Sequence, residues 1–188
     1  MKKIVSITLK LLIITVISAI ALGAVNYITK EPIAEQLALA ADEARQTAFP
    51  AAAGFEELNV EIPEDYAIIK NVYNALDADG NVIGITASMI TKGFNSGMHL
   101  TVGIGADGLI QGVVVGDNTE TPGLGAKATE DWFQEQYLSK TSPLTVVKAS
   151  PGDNEIQAIT SATITTKGVT EAVNTASQFY TEIVGGAQ

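Results

Sequence analysis

The chain has 188 residues and carries 11 Lys+Arg against 21 Asp+Glu, a net charge of −10. This length accommodates one membrane anchor and one soluble domain of about 150 residues, and the acidic excess argues against nucleic acid, which requires basic surface to displace counterions. The absence of cysteine excludes disulfides, thiolate zinc sites, iron–sulfur ligation and a lipid-modified N-terminal Cys, and the single histidine, His99, leaves a His-based metal or haem site short of ligands.

Charge is segregated along the chain: Lys2, Lys3 and Lys10 precede Glu31, and every acid lies at or beyond Glu31. Residues 11–29 form an uncharged run of 19, dominated by Leu, Ile, Val and Ala, close to the roughly 20 needed to cross a ~30 Å hydrocarbon core. The run predicts one transmembrane helix. Ala19-Ile20-Ala21 resembles a small-x-small cleavage site, so a removed secretory signal is the competing reading; the apolar stretch continues past that site, as a retained anchor does. Lysines before the span and acids after it predict a cytoplasmic N-terminus and an extracytoplasmic remainder. The expected location is the cell membrane (inner or cytoplasmic), crossed in a single pass.

Residues 31–49 space Ile33, Leu37, Ala41, Ala44 and Phe49 among polar residues, and Pro50 and Gly54 end the pattern, which predicts a helical stalk. Strand signals follow at 72–76 and 82–89 around a turn at Ala78-Asp79-Gly80-Asn81, then at 98–104 and 109–115 around Ala106-Asp107-Gly108. Ala-Asp-Gly-x-x-x-Gly occurs at both 78–84 and 106–112, which fits two related hairpins or convergence on the same turn chemistry. Glu120-Thr121-Pro122-Gly123-Leu124-Gly125 reads as a stiff loop. A short amphipathic helix is expected over 129–138, with Trp132 and Phe133 as core residues. The last helix carries Val169, Val173, Ala176, Phe179, Tyr180 and Ile183 on one face and is expected to start near Thr165 or Thr166, either of which suits an N-cap. The expected class is α+β, an antiparallel sheet flanked by helices and preceded by one N-terminal transmembrane helix. The expected divisions are residues 1–30 for the anchor, 31–65 for the stalk and linker, and 66–188 for the extracytoplasmic domain.

Thr160-Ser161-Ala162-Thr163-Ile164-Thr165-Thr166 clusters hydroxyls at the start of that last helix. Uncompensated amides and the helix dipole favour an anion there, so a phosphodiester at Thr163 would sit at little electrostatic cost, and small Ser161 and Ala162 would let backbone approach it. Simple capping uses the same residue types. Asp117, Glu120, Asp131 and Asp153 match no calcium loop and read as a solvated acidic face. His99 reads as a structural or surface side chain. No Gly-x-Ser-x-Gly and no Cys are present, and only one His is available to serve a triad, which argues against an acyl or glycosyl hydrolase.

Ser161-Ala162-Thr163-Ile164-Thr165 resembles the flavinylation motif of the FMN-binding domain family, found in the G subunit of Rnf complexes and the C subunit of Na⁺-pumping quinone reductases. The family pattern is commonly Asp-x-x-(Ser/Thr)-Gly-Ala-Thr-x-(Ser/Thr); Gln157 stands at the Asp position and Ser161 at the Gly position. Glu120 to Lys127 is similar to the loop these proteins place beside the flavin ring, and Gly93-Phe94-Asn95-Ser96-Gly97 resembles a family glycine segment. The similarity spans roughly residues 70 to 185, and the short chain favours the G subunit of Rnf. The resemblance implies FMN esterified through its phosphate to Thr163, with Ser161, Ala162, Thr165 and Thr166 about the phosphate and Glu120, Thr121, Gly123, Leu124 and Gly125 beside the ring. It further implies an electron relay without bond chemistry of its own, within a membrane complex that passes electrons between ferredoxin and NAD⁺ while moving Na⁺ or H⁺. Its implied partners are the other integral and peripheral subunits, and a flavin transferase during maturation. A stand-alone anchored flavoprotein and a flavin-free scaffold are the alternatives.

Overall fold

The computed structural model describes residues 2–185. They divide into two compact units, one running through Asp42 and the other starting at Glu43. The first unit is helical throughout, part of α1 (Lys2–Ala48, 47 residues). Its apolar side chains are exposed, Leu22 at 72% and Ile20 at 67%, and its most apolar 18-residue window has a mean hydropathy of 2.4, long and apolar enough to cross a membrane. α1 continues without interruption through the stretch read as a stalk and ends one residue before Phe49, where Pro50 stops the ladder.

The second unit is an α+β domain around a five-stranded antiparallel meander, β1 (Gly54–Glu57), β2 (Ile69–Leu76), β3 (Val82–Lys92), β4 (Ser96–Gly105) and β5 (Ile110–Val115), in that spatial order. Period-two alternation sends Ile85, Ala87 and Met89 of β3 and Met98, Leu100, Val102 and Ile104 of β4 to one face. On that face they share a core with Val169, Ala172, Val173, Ala176 and Phe179 of the long helix α3 (Thr163–Phe179). The two turns fall where Asp-Gly requires them, with Gly80 at φ 83° and Gly108 at φ 78°. Asp77 accepts hydrogen bonds from the Asn81 side chain and the backbone amides of Asn81 and Asp79, which hold its carboxyl below its ordinary pKa.

The opposite face explains the repeated glycine of the two hairpins. A Cβ on Gly84 would lie 2.6 Å from the Phe49 ring and 2.3 Å from Ile104 O; on Gly103 or Gly112 it would lie 2.1 or 2.6 Å from Ala48 O. The three glycines form a notch that receives the C-terminal end of α1, and Arg45 lies 4.1 Å over the Tyr73 ring beside it.

Several elements differ from the sequence expectation. β1 lies within residues 31–65, read as stalk and linker; Gly-Phe-Glu-Glu has no apolar alternation, and pairing with β2 makes it a strand. A parallel pair, β6 (Thr145–Val147) with β7 (Glu155–Gln157), is too short to signal itself. The 129–138 helix contracts to α2 (Asp131–Gln134) between 3₁₀ turns at Gly125–Thr129 and Glu135–Tyr137. Phe133 and Tyr137 are in the core, whereas Trp132 is 45% exposed, its indole N–H donating to Glu130. α3 starts at Thr163, so Thr165 and Thr166 lie inside its first turn and neither is the N-cap.

Candidate functional site

Antiparallel pairing brings the end of β3, the start of β4 and the end of β5 to one edge of the domain, where the 93–97 and 116–125 loops meet. α3 is pinned to that edge by a glycine: a Cβ on Gly168 would lie 2.0 Å from Lys92 O, so only glycine lets the helix approach the end of β3 this closely. The Thr91 hydroxyl adds a 3.3 Å bond to Gly168 O. Between these segments opens a cleft of about 380 Å³, within the size range of ligand sites.

Glu120, Thr121, Leu124, Gly125, Ser161, Ala162, Thr163 and Thr165 line this cleft; residues from two motifs about forty positions apart thus share one site. Phe94 and Ile164, which sequence reading did not assign to a site, also line it. The hint available was the Gly-Phe-Asn-Ser-Gly segment around Phe94. Phe94 is 65%, Ile164 58% and Leu124 41% exposed, so three large apolar side chains from three separate segments gather as a rim on one cleft. Gly123 forms the turn of the loop at φ 77°. Thr166 sits behind the lining, fully buried: its hydroxyl accepts from the Ile159 amide at 3.0 Å and donates to Ala162 O at 3.2 Å, fixing the approach to α3. Thr170 donates to Thr166 O and pairs with the Tyr137 hydroxyl at 2.9 Å, whose pKa burial pushes up.

Ala162 stands at the N-cap of α3 and supplies no side-chain hydrogen bond. The first turn of any α-helix leaves its amides without intrahelical acceptors, and the first backbone bond here runs from Thr166 N to Ala162 O. Thr163, partly exposed, is the first helical residue, at the positive end of a 17-residue dipole. Ser161 holds φ 63°, the left-handed region. This is where the family pattern has Gly, and a non-glycine residue there costs about 1 kcal/mol.

Glu120 is not part of a solvated face. It is 6% exposed; one carboxylate oxygen accepts the Asn95 amide at 2.8 Å and the other accepts the Thr165 hydroxyl at 2.6 Å. Its slot has glycine walls, since a Cβ on Gly93 or Gly125 would come within 2.7 or 2.1 Å of those oxygens. Asn95 in turn donates to Thr119 O at 2.5 Å. His99 is exposed on β4 and Gln157 on β7, both outside the cleft lining.

A family model described as FMN-binding domain matches residues 93–178, a stretch that begins at the glycine wall of the Glu120 slot and ends in α3. The chain is 38% identical over 187 residues to the G subunit of the Na⁺-translocating ferredoxin:NAD⁺ oxidoreductase complex of Acetobacterium woodii, covering 90% of this chain and 88% of that one. It is 32% identical over 182 residues to the G subunit of the proton-translocating ferredoxin:NAD⁺ oxidoreductase complex of Clostridium ljungdahlii, covering 96% and 94%. Among solved structures, NqrC of Shewanella oneidensis shares the fold with a TM-score of 0.50 at 24% identity, over 68% of this chain and 66% of that one.

Proposed function

This chain belongs to the family of G subunits of ion-translocating ferredoxin:NAD⁺ oxidoreductase complexes, and on that premise we propose that it relays electrons through an FMN esterified to Thr163 on the extracytoplasmic side of the membrane. It is a redox subunit whose activity is that of the complex. The observation that carries the reading is the position of Thr163: first residue of an uncapped helix and lining of a 380 Å³ cleft with an apolar rim.

The residues fit the group. Amides of the first turn of α3 would donate to the phosphate, and Ser161 and Ala162 bring no bulk against it. Phe94, Leu124 and Ile164 supply apolar surface for the ring, with the Thr121 to Gly125 loop along the same wall. The chemistry supplied by bound FMN is the exchange of one or two electrons. The chain's own work is to tether the carrier where a dissociated one would be lost, and to hold it against one face of the domain. Lysines before the apolar helix and acids after it support a single pass with the N-terminus cytoplasmic. The other subunits of the complex, and a flavin transferase during maturation, are the proposed partners.

The test is in-gel fluorescence of the denatured chain from its native host, with mass spectrometry of the peptide spanning residues 149–167. One FMN on Thr163, lost in Thr163→Ala while the fold is kept, supports the reading. An unmodified peptide and a dark band would sink it in favour of a flavin-free scaffold.

A further inference from the structure

We propose that Glu120 is the positioning residue of the cleft: its carboxylate clamps the first turn of α3 to the 93–97 and 116–125 loops and thereby holds Thr163 at a fixed place on the rim. The geometry stands by itself; its consequence for flavin loading rests on the function proposed above.

The clamp joins segments that are 25 and 45 residues from Glu120 in sequence, one through each carboxylate oxygen. The bond to Thr165 is made within protein rather than solvent, since Glu120 and Thr165 are 6% and 1% exposed, while Asn95 is half-buried. Its surroundings are shaped to it. Gly93 and Gly125 stand on either side, and a Cβ at either position would enter hydrogen-bonding or shorter distance of the carboxylate oxygens. Thr165 lies two residues after Thr163, so its tether restrains the turn that bears the proposed attachment point. A second tie between α3 and this edge, the 3.3 Å bond from Thr91 to Gly168 O, lies nearly a full turn deeper in the helix. Removing Glu120 takes away the side-chain bond that joins the first turn to the facing loops, while the first backbone bond of α3 begins only at Thr166. A helix start left in that condition frays.

A positional role makes a different demand from a charge role. Glutamine reproduces the shape, accepting from Asn95 through its carbonyl and donating its amide to the Thr165 oxygen, whereas alanine leaves both groups unpaired. Serine at 165 keeps the hydroxyl that valine removes.

The experiment uses the full chain in detergent micelles in five forms: wild type, Glu120→Ala, Glu120→Gln, Thr165→Val and Thr165→Ser. Hydrogen exchange is measured on the chain made without flavin transferase, and intact mass on the chain co-expressed with it. The expected result is exchange faster by about tenfold, the factor for one lost hydrogen bond to a charged acceptor, at the Asn95 amide in Glu120→Ala and at the Thr166 amide, the first of α3 with a backbone acceptor, in both Glu120→Ala and Thr165→Val. The fraction of flavinylated Thr163 falls in the same two variants, and both measures stay near wild type in Glu120→Gln and Thr165→Ser. Unchanged exchange in Glu120→Ala and Thr165→Val overturns the clamp. Faster exchange with unchanged loading overturns its link to Thr163, and Glu120→Gln behaving like Glu120→Ala overturns position in favour of charge. A wild-type chain that takes no flavin refutes the proposed function alone, and the exchange comparison still decides the clamp.

Discussion

Gly125→Ala separates the role of the Glu120 slot from ordinary helix propensity, because the two predict opposite signs. Gly125 opens a 3₁₀ turn at a backbone conformation open to any residue. Replacing such a glycine ordinarily stabilises by about 0.4–1 kcal/mol through the unfolded chain. Here the new Cβ would sit 2.1 Å from one Glu120 oxygen and 2.7 Å from the Thr165 hydroxyl, so the carboxylate must withdraw from Thr165. Losing one hydrogen bond to a charged group costs about 1.5–3 kcal/mol, and the buried oxygen left unpaired adds to it. The expected net is a destabilisation of about 3 kcal/mol. At an m-value of about 2 kcal/mol per molar urea this lowers the midpoint by about 1.5 M. Trp132 is the one tryptophan in the chain and packs edge-on against core Phe133 at 5.9 Å, so its fluorescence reports the transition directly. The same substitution in a Glu120→Ala background keeps only the 2.7 Å contact with the Thr165 hydroxyl and should cost clearly less. An equal loss in both backgrounds, or a midpoint unchanged in the first, refutes the slot.

The glycine notch makes a second prediction. Gly103→Ala places a Cβ 2.1 Å from the backbone oxygen of Ala48, which no rotamer change relieves, and should destabilise by about 3 kcal/mol or more; Gly54→Ala, with nothing within 4 Å, should be tolerated, and paired urea melts decide between them. A third concerns pH. Tyr66 donates to Glu182 at 2.5 Å, and this bond, with burial and the Glu182 charge, raises the tyrosine from 10.0 to about 12; the same bond, with that from Gln178, lowers Glu182. The raised phenol contributes stability that is fully present below pH 10 and lost toward 12. The lowered carboxyl contributes stability that is present above the ordinary carboxylate range and lost as pH falls through its depressed value. Tyr66→Phe should therefore flatten the pH dependence of the thermal midpoint at both ends, and an unchanged profile would count against the pair.

The apolar run of α1, the two Asp-Gly hairpins, the apolar face of α3 and the hydroxyl cluster were all legible in the linear chain. Each is a local signal: hydrophobic length, period two, period 3.6, or a turn residue whose positive φ only certain side chains tolerate. The two motifs that resemble the FMN-binding family were legible for the same reason, as short contiguous strings. What the linear chain misassigned depends on distant partners. Thr165 and Thr166 suit an N-cap by type, but Thr165 is taken up by Glu120 and Thr166 by the Ile159 amide, and the helix starts at Thr163. Glu120 reads by charge as a solvated acid and by resemblance as part of the ring loop, and neither reading contains the contacts made when folding brings residues 25 and 45 positions away onto its two oxygens. β1 became a strand only because β2 offered an open edge. Phe94 and Ile164 joined the cleft because antiparallel pairing and the Gly168 contact put the β3–β4 loop and the head of α3 on the same edge. Periodicity and turn chemistry determine which elements form, because they act over a few bonds. Which buried polar group finds which partner is decided only when the elements pack and water is excluded between them.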